Sequence, residues 1–256
     1  MINEIKDGYV KTDKEHGIVT IEFYHPQSNS LPGKLLDALA QAIHAEGINP
    51  QTKVIILRSG GDGVFCSGAS FDELSAITNE KQGIDFFTGF SKVINAMRKT
   101  PKFIVVRVQG KCVGGGVGIV AAADYAIALE GSDVKLSELS VGIGPFVVGP
   151  AVERKIGTSA AYELAIDATN FRTAAWAKEK GLYAETFNTI EDLDLAIHQL
   201  ANTLASSSSA AMQEIKKAFW NGTENWDTLL LERAAISGKL ILTEEAKTFL
   251  KGYKAK

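Results

Sequence analysis

The run Gly110 to Asp124, GKCVGGGVGIVAAAD, concentrates the residue types that can hold a negative oxygen. Gly114, Gly115 and Gly116 open backbone angles closed to other residues. The small residues from Val117 to Ala123 then predict a short helix. The first N–H groups of a helix have no partner inside it, and with a dipole of about half a charge they favour an anion. A second glycine turn comes earlier, Ser59 to Ser70 with the sequence SGGDGVFCSGAS, and opens a short helix carrying Asp72 and Glu73 in its first turn. Two such turns in one domain suggest two amide donors converging on one atom. That is how an oxyanion hole is built, each donor being worth about 2.7–4 kcal/mol of transition-state stabilisation.

Other readings of the glycines compete. Gly116, Gly118 and Ala121 satisfy the loose dinucleotide pattern G-x-G-x-x-A, with Glu138 at a suitable distance for a ribose. A nucleotide unit, however, needs a full helix before its second strand, and here the chain is extended again at Tyr125–Leu129. The glycines also suit close packing of a helix on a sheet. A hydrolase would need a nucleophile, yet there is no G-x-S-x-G elbow. His16, His25, His44 and His198 fall in a surface loop, a strand end and helices, without metal-ligand spacing. Cys66 lies near the first donor and reads as a small buried thiol, a reactive one being the alternative. A hole without a nucleophile points to enolate chemistry, in which a base removes a proton beside a carbonyl.

The elements that must position these groups follow from periodicity. Alternation or continuous apolar runs predict strands at Gly17–Phe23, Lys53–Arg58, Phe103–Val108, Tyr125–Leu129 and Val134–Leu136. Leu35, Leu36, Leu39 and Ile43 mark one face of a helix from Pro32 to Gly47, and Phe86, Phe87, Phe90, Val93, Ile94 and Met97 a helix over 83–100. From Pro145 to Lys180 the sequence predicts short helices broken by Gly149, Pro150 and Gly157. Beyond residue 190 the pattern is helical alone. Leu193, Ile197, Leu200 and Leu204 form one face, Met212, Ile215 and Phe219 a second, and Leu229–Leu242 and Glu244–Lys254 follow. The expectation is an α/β core over 1–190 with a helical region over 191–256.

Composition narrows the classes. The chain has 256 residues and a net charge of −3 with no basic stripe, which argues against nucleic acid. No apolar run reaches the roughly 18 to 20 residues that cross a bilayer. The start MINEIKDGYV lacks a signal-peptide core. Two cysteines give no disulfide framework, so a cytoplasmic setting is expected.

From Gly17 to Lys254 the chain resembles the crotonase, or enoyl-CoA hydratase/isomerase, superfamily. Phe65-Cys66-Ser67-Gly68-Ala69-Ser70 is similar to its F-x-A-G-A-D loop, Gly110–Asp124 to its N-G-x-x-x-G-G-G-x-x-x-x-x-x-x-D loop, and Thr173–Leu182 to its A-x-x-A-x-x-x-G-L segment. The resemblance implies a spiral of repeated strand-strand-helix turns. It also implies C-terminal helices that build homotrimers, commonly paired into hexamers, and an acyl-CoA thioester as substrate with no separate cofactor or metal. The N–H groups of Ala69 and Gly115 would hold the thioester oxygen, with Ser67, Gly68 and Gly114 beside them. Phe86, Phe87 and Phe90 would wall the acyl group, and Lys254 would supply charge for the CoA phosphates.

The acid–base residues depart from the hydratase pattern. Of the two glutamates of the hydratases, the first falls on Gly118 and is absent; the second is Glu138. An apolar setting from Leu136, Leu139 and Val141 would raise its pKa. The position where dienoyl isomerases carry an aspartate is Phe146, and Ser70 replaces the aspartate after the first donor, which predicts weaker support for that helix. One carboxylate suffices to move a proton from C2 to C4 of a 3-enoyl thioester. Isomerisation is therefore the leading expectation. Hydration through Glu138, alone or with Ser137 or Ser140, is the alternative, and a non-catalytic acyl-CoA binder is the second.

Overall fold

A computed structural model of the chain describes residues 7–254, the last two as backbone alone. The strands are β1 Tyr9–Glu15, β2 Ile18–Tyr24, β3 Val54–Ser59, β4 Phe103–Val108, β5 Cys112–Val113, β6 Tyr125–Leu129, β7 Val134–Lys135 and β8 Glu185–Phe187. The helices are α1 Gly33–Ile48, α2 Phe71–Ala76, α3 Glu80–Lys99, α4 Gly115–Ala122, α5 Gly149–Ile166, α6 Ala174–Glu179, α7 Ile190–Ala205, α8 Ser209–Phe219, α9 Trp226–Leu240 and α10 Glu244–Lys254. A 3₁₀ turn covers Glu138–Val141.

The large sheet runs β1-β2-β3-β4-β6-β8, parallel except for the β1–β2 hairpin. Parallel strands are covered on both faces and so read as continuous apolar runs. In β3 and β4, Ile55, Leu57, Ile104 and Val106 face the main core, while Val54, Ile56 and Val105 face Leu193, Ile197 and Ala201 of α7. A second, narrow ladder joins β5 to β7, and isolated bridges extend it to Cys66 on one side and Arg172 on the other. Each turn of the chain therefore adds a strand to the large sheet, a short extended piece to the narrow ladder, and a helix. The expected α/β spiral is the observed architecture.

Three local expectations need correction. β1 was not expected: Lys11 to Glu15 are exposed and polar, and only His16 (φ 48°) and Gly17 (φ 83°) mark the hairpin turn. Gly149 and Pro150 start α5 instead of breaking it, since proline is favoured in a first helical turn. Gly157, at φ 78° and ψ 159°, then kinks that helix. Ser70 also does more than its small side chain suggested. Its Oγ accepts from Glu73 N at 3.4 Å and caps α2 in the absent aspartate's place.

The helices beyond residue 190 share the core of the first part. α7 covers one face of the large sheet, and Leu230, Ala234, Ala246 and Leu250 belong to the main apolar cluster. α9 lies so close to α3 that a Cβ at Gly83 would come within 2.7 Å of Gly238 O. α8 is tied by Asp124, the last residue of the second glycine loop. Its Oδ2 accepts from Lys216 Nζ at 2.7 Å and Ile104 N at 2.8 Å, and its Oδ1 from Trp220 Nε1 at 3.3 Å. Lys216 is 3% exposed. Removing one partner of a buried pair leaves the other unpaired, typically at about 3–5 kcal/mol. Lys216→Met should therefore lower stability by about 3 kcal/mol in chemical denaturation, with Asp124 left to its two neutral donors.

Candidate active site

Three successive turns of the spiral end at one place. Cys66 pairs with Cys112 in the narrow ladder, and Cys112 with Val134. Ala69 and Gly115 stand three residues beyond the two cysteines, and Glu138 four beyond Val134. Neighbouring strands lie about 4.8 Å apart, so three chains leaving the ladder side by side bring these residues to the wall of one cavity. Its free interior is narrow, about 50 Å³.

The two amides are unpartnered for different reasons. Leu31 bridges the first loop by donating to Gly68 O at 2.8 Å and accepting from Ser70 N at 3.4 Å, which turns the N–H of Ala69 the other way. Gly115 opens α4. Val117 N and Gly118 N return to Gly114 O at 2.9 and 3.3 Å, whereas the Gly115 N–H has no partner among the described residues. The loops touch: a Cβ on Gly68 would stand 3.6 Å from Gly115 N. Gly68 (φ 90°) and Gly114 (φ 53°, ψ −117°) hold backbone angles that only glycine adopts readily. The ring of Phe90 fills the space a Cβ on Gly115 would need, at 2.1 Å.

Glu138 enters from the third turn. A Cβ on Gly114 would lie 3.1 Å from its Oε1, so the carboxyl stands against the loop that carries Gly115. Its Oε2 is buried and has no hydrogen-bond partner. Burial raises its pKa from 4.5 to about 7, against the opposing effect of its own backbone N–H. The apolar setting differs from the expected one, because Leu139 points outward and is 54% exposed. Val141 lines the wall as expected, and Ile143, Phe146, Val147 and Val148 complete it.

The raised pKa has a consequence for stability. Below pH 4.5 Glu138 is protonated whether the chain is folded or not. Between 4.5 and about 7 the folded chain keeps a proton that the unfolded chain has released, so stability falls as pH rises. A shift from 4.5 to about 7 corresponds to roughly 3 kcal/mol above pH 7, at about 1.4 kcal/mol per unit. Glu138→Gln lacks this penalty. In urea unfolding followed across pH, its stability advantage over the wild type should open between pH 4.5 and 7 and then stay level.

The other expected site residues fall as follows. Ser67, Gly68, Gly114, Phe90 and Phe146 line the cavity with the two amides and Glu138. Phe86 does not: it packs edge-on against Phe87 and Phe90 from behind, and Phe87 takes the lining position. The side chain of Lys254 lies outside the described residues. Cys66 and Cys112 are fully buried, and burial pushes the Cys66 thiol up to about 12, an inert pair under the site. Ser237 of α9 also lines the cavity and was missed, since a lone serine in a helix carries no signal. Where hydratases place a glutamate, Val148 closes on Gly118, its Cγ1 2.4 Å from where a Cβ would be.

Fold and cavity together define a crotonase-type α/β spiral. The chain belongs to the enoyl-CoA hydratase/isomerase family, whose model matches residues 13–255. The chain is 33% identical over 135 residues to (7aS)-7a-methyl-1,5-dioxo-2,3,5,6,7,7a-hexahydro-1H-indene-carboxyl-CoA hydrolase of Rhodococcus jostii (strain RHA1), covering 53% of this chain and 52% of that protein. It is 28% identical over 217 residues to the mitochondrial methylglutaconyl-CoA hydratase of Homo sapiens, covering 83% and 63%. The chain thus spans about half to two thirds of the length of these relatives. The crystal structure of enoyl-CoA hydratase from Bacillus halodurans superposes with a TM-score of 0.87 at 22% identity, over 95% of this chain and 99% of that one. No helix among the described residues is long and apolar enough to cross a membrane.

Proposed function

We propose that the protein shifts the double bond of an enoyl-CoA thioester from C3 to C2, with Glu138 as the single proton carrier. The observation that carries this reading is that Glu138 is the one ionisable side chain on the cavity wall among the described residues. The thioester oxygen sits between the Ala69 and Gly115 amides. The Glu138 carboxylate takes a proton from C2, the electron pair of that bond passes into the enolate, and the oxygen's growing charge meets the two N–H groups. The double bond re-forms between C2 and C3 as C4 takes the proton back from Glu138. Nothing is consumed, so the step requires no redox group or second reagent. A pKa near 7 suits a group that must both accept and return a proton.

Hydration of a 2-enoyl-CoA is the second reading, supported by Ser137 on the cavity wall, whose hydroxyl would orient a water. Val148 over Gly118 weighs against it, because that packing leaves no room for a second carboxylate. Incubation with 3-enoyl-CoA and, separately, 2-enoyl-CoA in deuterated water distinguishes them. Isomerisation predicts a 2-enoyl product from the first and no hydroxyacyl product from the second; a hydroxyacyl product overturns the order. Tight binding of thioesters without turnover would identify a non-catalytic member. For assembly we propose a homotrimer or a pair of trimers, which a monomer mass by light scattering would contradict.

A further inference from the structure

Ser237 is 1% exposed and sits on α9 in the cavity wall. Hydroxyls within helices commonly bond the carbonyl four residues earlier, as Ser75 does to Phe71 O at 2.7 Å and Thr203 to Gln199 O at 2.9 Å. The hydroxyl of Ser237 has no such bond and no other hydrogen-bond partner among the described residues. Ser237 Oγ is not among the fully enclosed atoms without a partner; it opens on the cavity, and a ligand that covers it without pairing it forfeits roughly 1–3 kcal/mol.

The position of Ser237 along the cavity follows from α3. Phe90 touches the Gly115 site, whereas Gly238, next to Ser237, packs on Gly83. Ser237 therefore lines the cavity beside the Gly83 end of α3. No lysine, arginine or histidine lines the cavity among the described residues. A carboxylate on the acyl chain would find no cation there, and burying an unpaired charge is far more costly than burying a neutral oxygen.

We infer that Ser237 recognises an uncharged oxygen, a hydroxyl or keto group, on the acyl chain, and so sets which acyl-CoA thioesters the site prefers. The inference rests on the acyl-thioester reading of the cavity and is independent of which reaction follows. Calorimetric titration of the full chain with saturated acyl-CoA thioesters tests it without turnover. Three matched ligands of one chain length carry a methylene, a keto oxygen or a carboxylate along the acyl chain. The wild type should bind the keto ligand about tenfold more tightly than the hydrocarbon, and the carboxylate ligand more weakly than both. Ser237→Ala should lose about tenfold on the keto ligand and tighten a few-fold on the hydrocarbon, which no longer buries an unpaired hydroxyl, so that the preference inverts. Equal changes on both ligands, or a preference for the carboxylate, overturn the inference while sparing the acyl-thioester reading. Failure of all three ligands to bind overturns both.

Discussion

Replacing Glu138 by Gln should lower kcat/KM on the productive enoyl-CoA by a factor of about 10² to 10⁴, the usual contribution of a positioned general base. Thioester binding should change little, because the amide pair belongs to the backbone of other turns. The expectation is strong because, among the described residues, no other ionisable side chain lines the cavity to take over the proton. The pH profile supplies a second readout. Glu138 must be ionised in the free enzyme to accept the C2 proton, and its carboxyl titrates near 7. The wild-type kcat/KM should therefore rise with pH up to about 7 and level off above it, and the residual rate of Glu138→Gln should lack that limb. Turnover that survives the substitution would place the base elsewhere.

Gly115→Ala should lower kcat by about 10² to 10³, the range seen when one donor is lost from such a pair. The new methyl meets Phe90 Cε1 at 2.1 Å and Cζ at 2.7 Å, so either the ring or the amide must move. Phe90→Ala in the same chain removes the collision. Partial recovery of kcat in the double variant would show that displacement of the N–H, rather than general unfolding, caused the loss; a simple sum of the two losses would argue against coupling. Circular dichroism on both variants checks that the fold survives.

The part of the site made by backbone was legible in the sequence, because its requirement is local. Gly68 and Gly114 are needed for their own φ values and Gly115 for the space that Phe90 occupies, so a glycine pattern marks the donors directly. Glu138 was legible only through the resemblance, as the second glutamate of the hydratase pattern, with Gly142 at φ 84° closing the turn it opens. What packs around these residues was not legible. Leu139 and Val141 look alike in sequence, yet one faces solvent and the other the cavity. The same holds for Phe86 and Phe87, neighbours on α3 of which only the second lines the pocket. Ser237 and Val148 reach the site through contacts distant in sequence, between α9 and α3 and between Val148 and α4. β1 was invisible for a different reason: an edge strand whose middle is polar has no apolar rhythm to read.

The narrow ladder that runs from Cys66 through Cys112 to Val134 separates the inherited from the changeable in this molecule. Under the proposed function, grip on the thioester comes from peptide groups, whose placement survives most exchanges of side chain so long as the glycines stay. The proton chemistry hangs on one replaceable group at the exit of the third rung. Descendants of such a chain can drift from one reaction to another by trading single residues at these exits, while the handle by which they hold their substrates passes on unaltered.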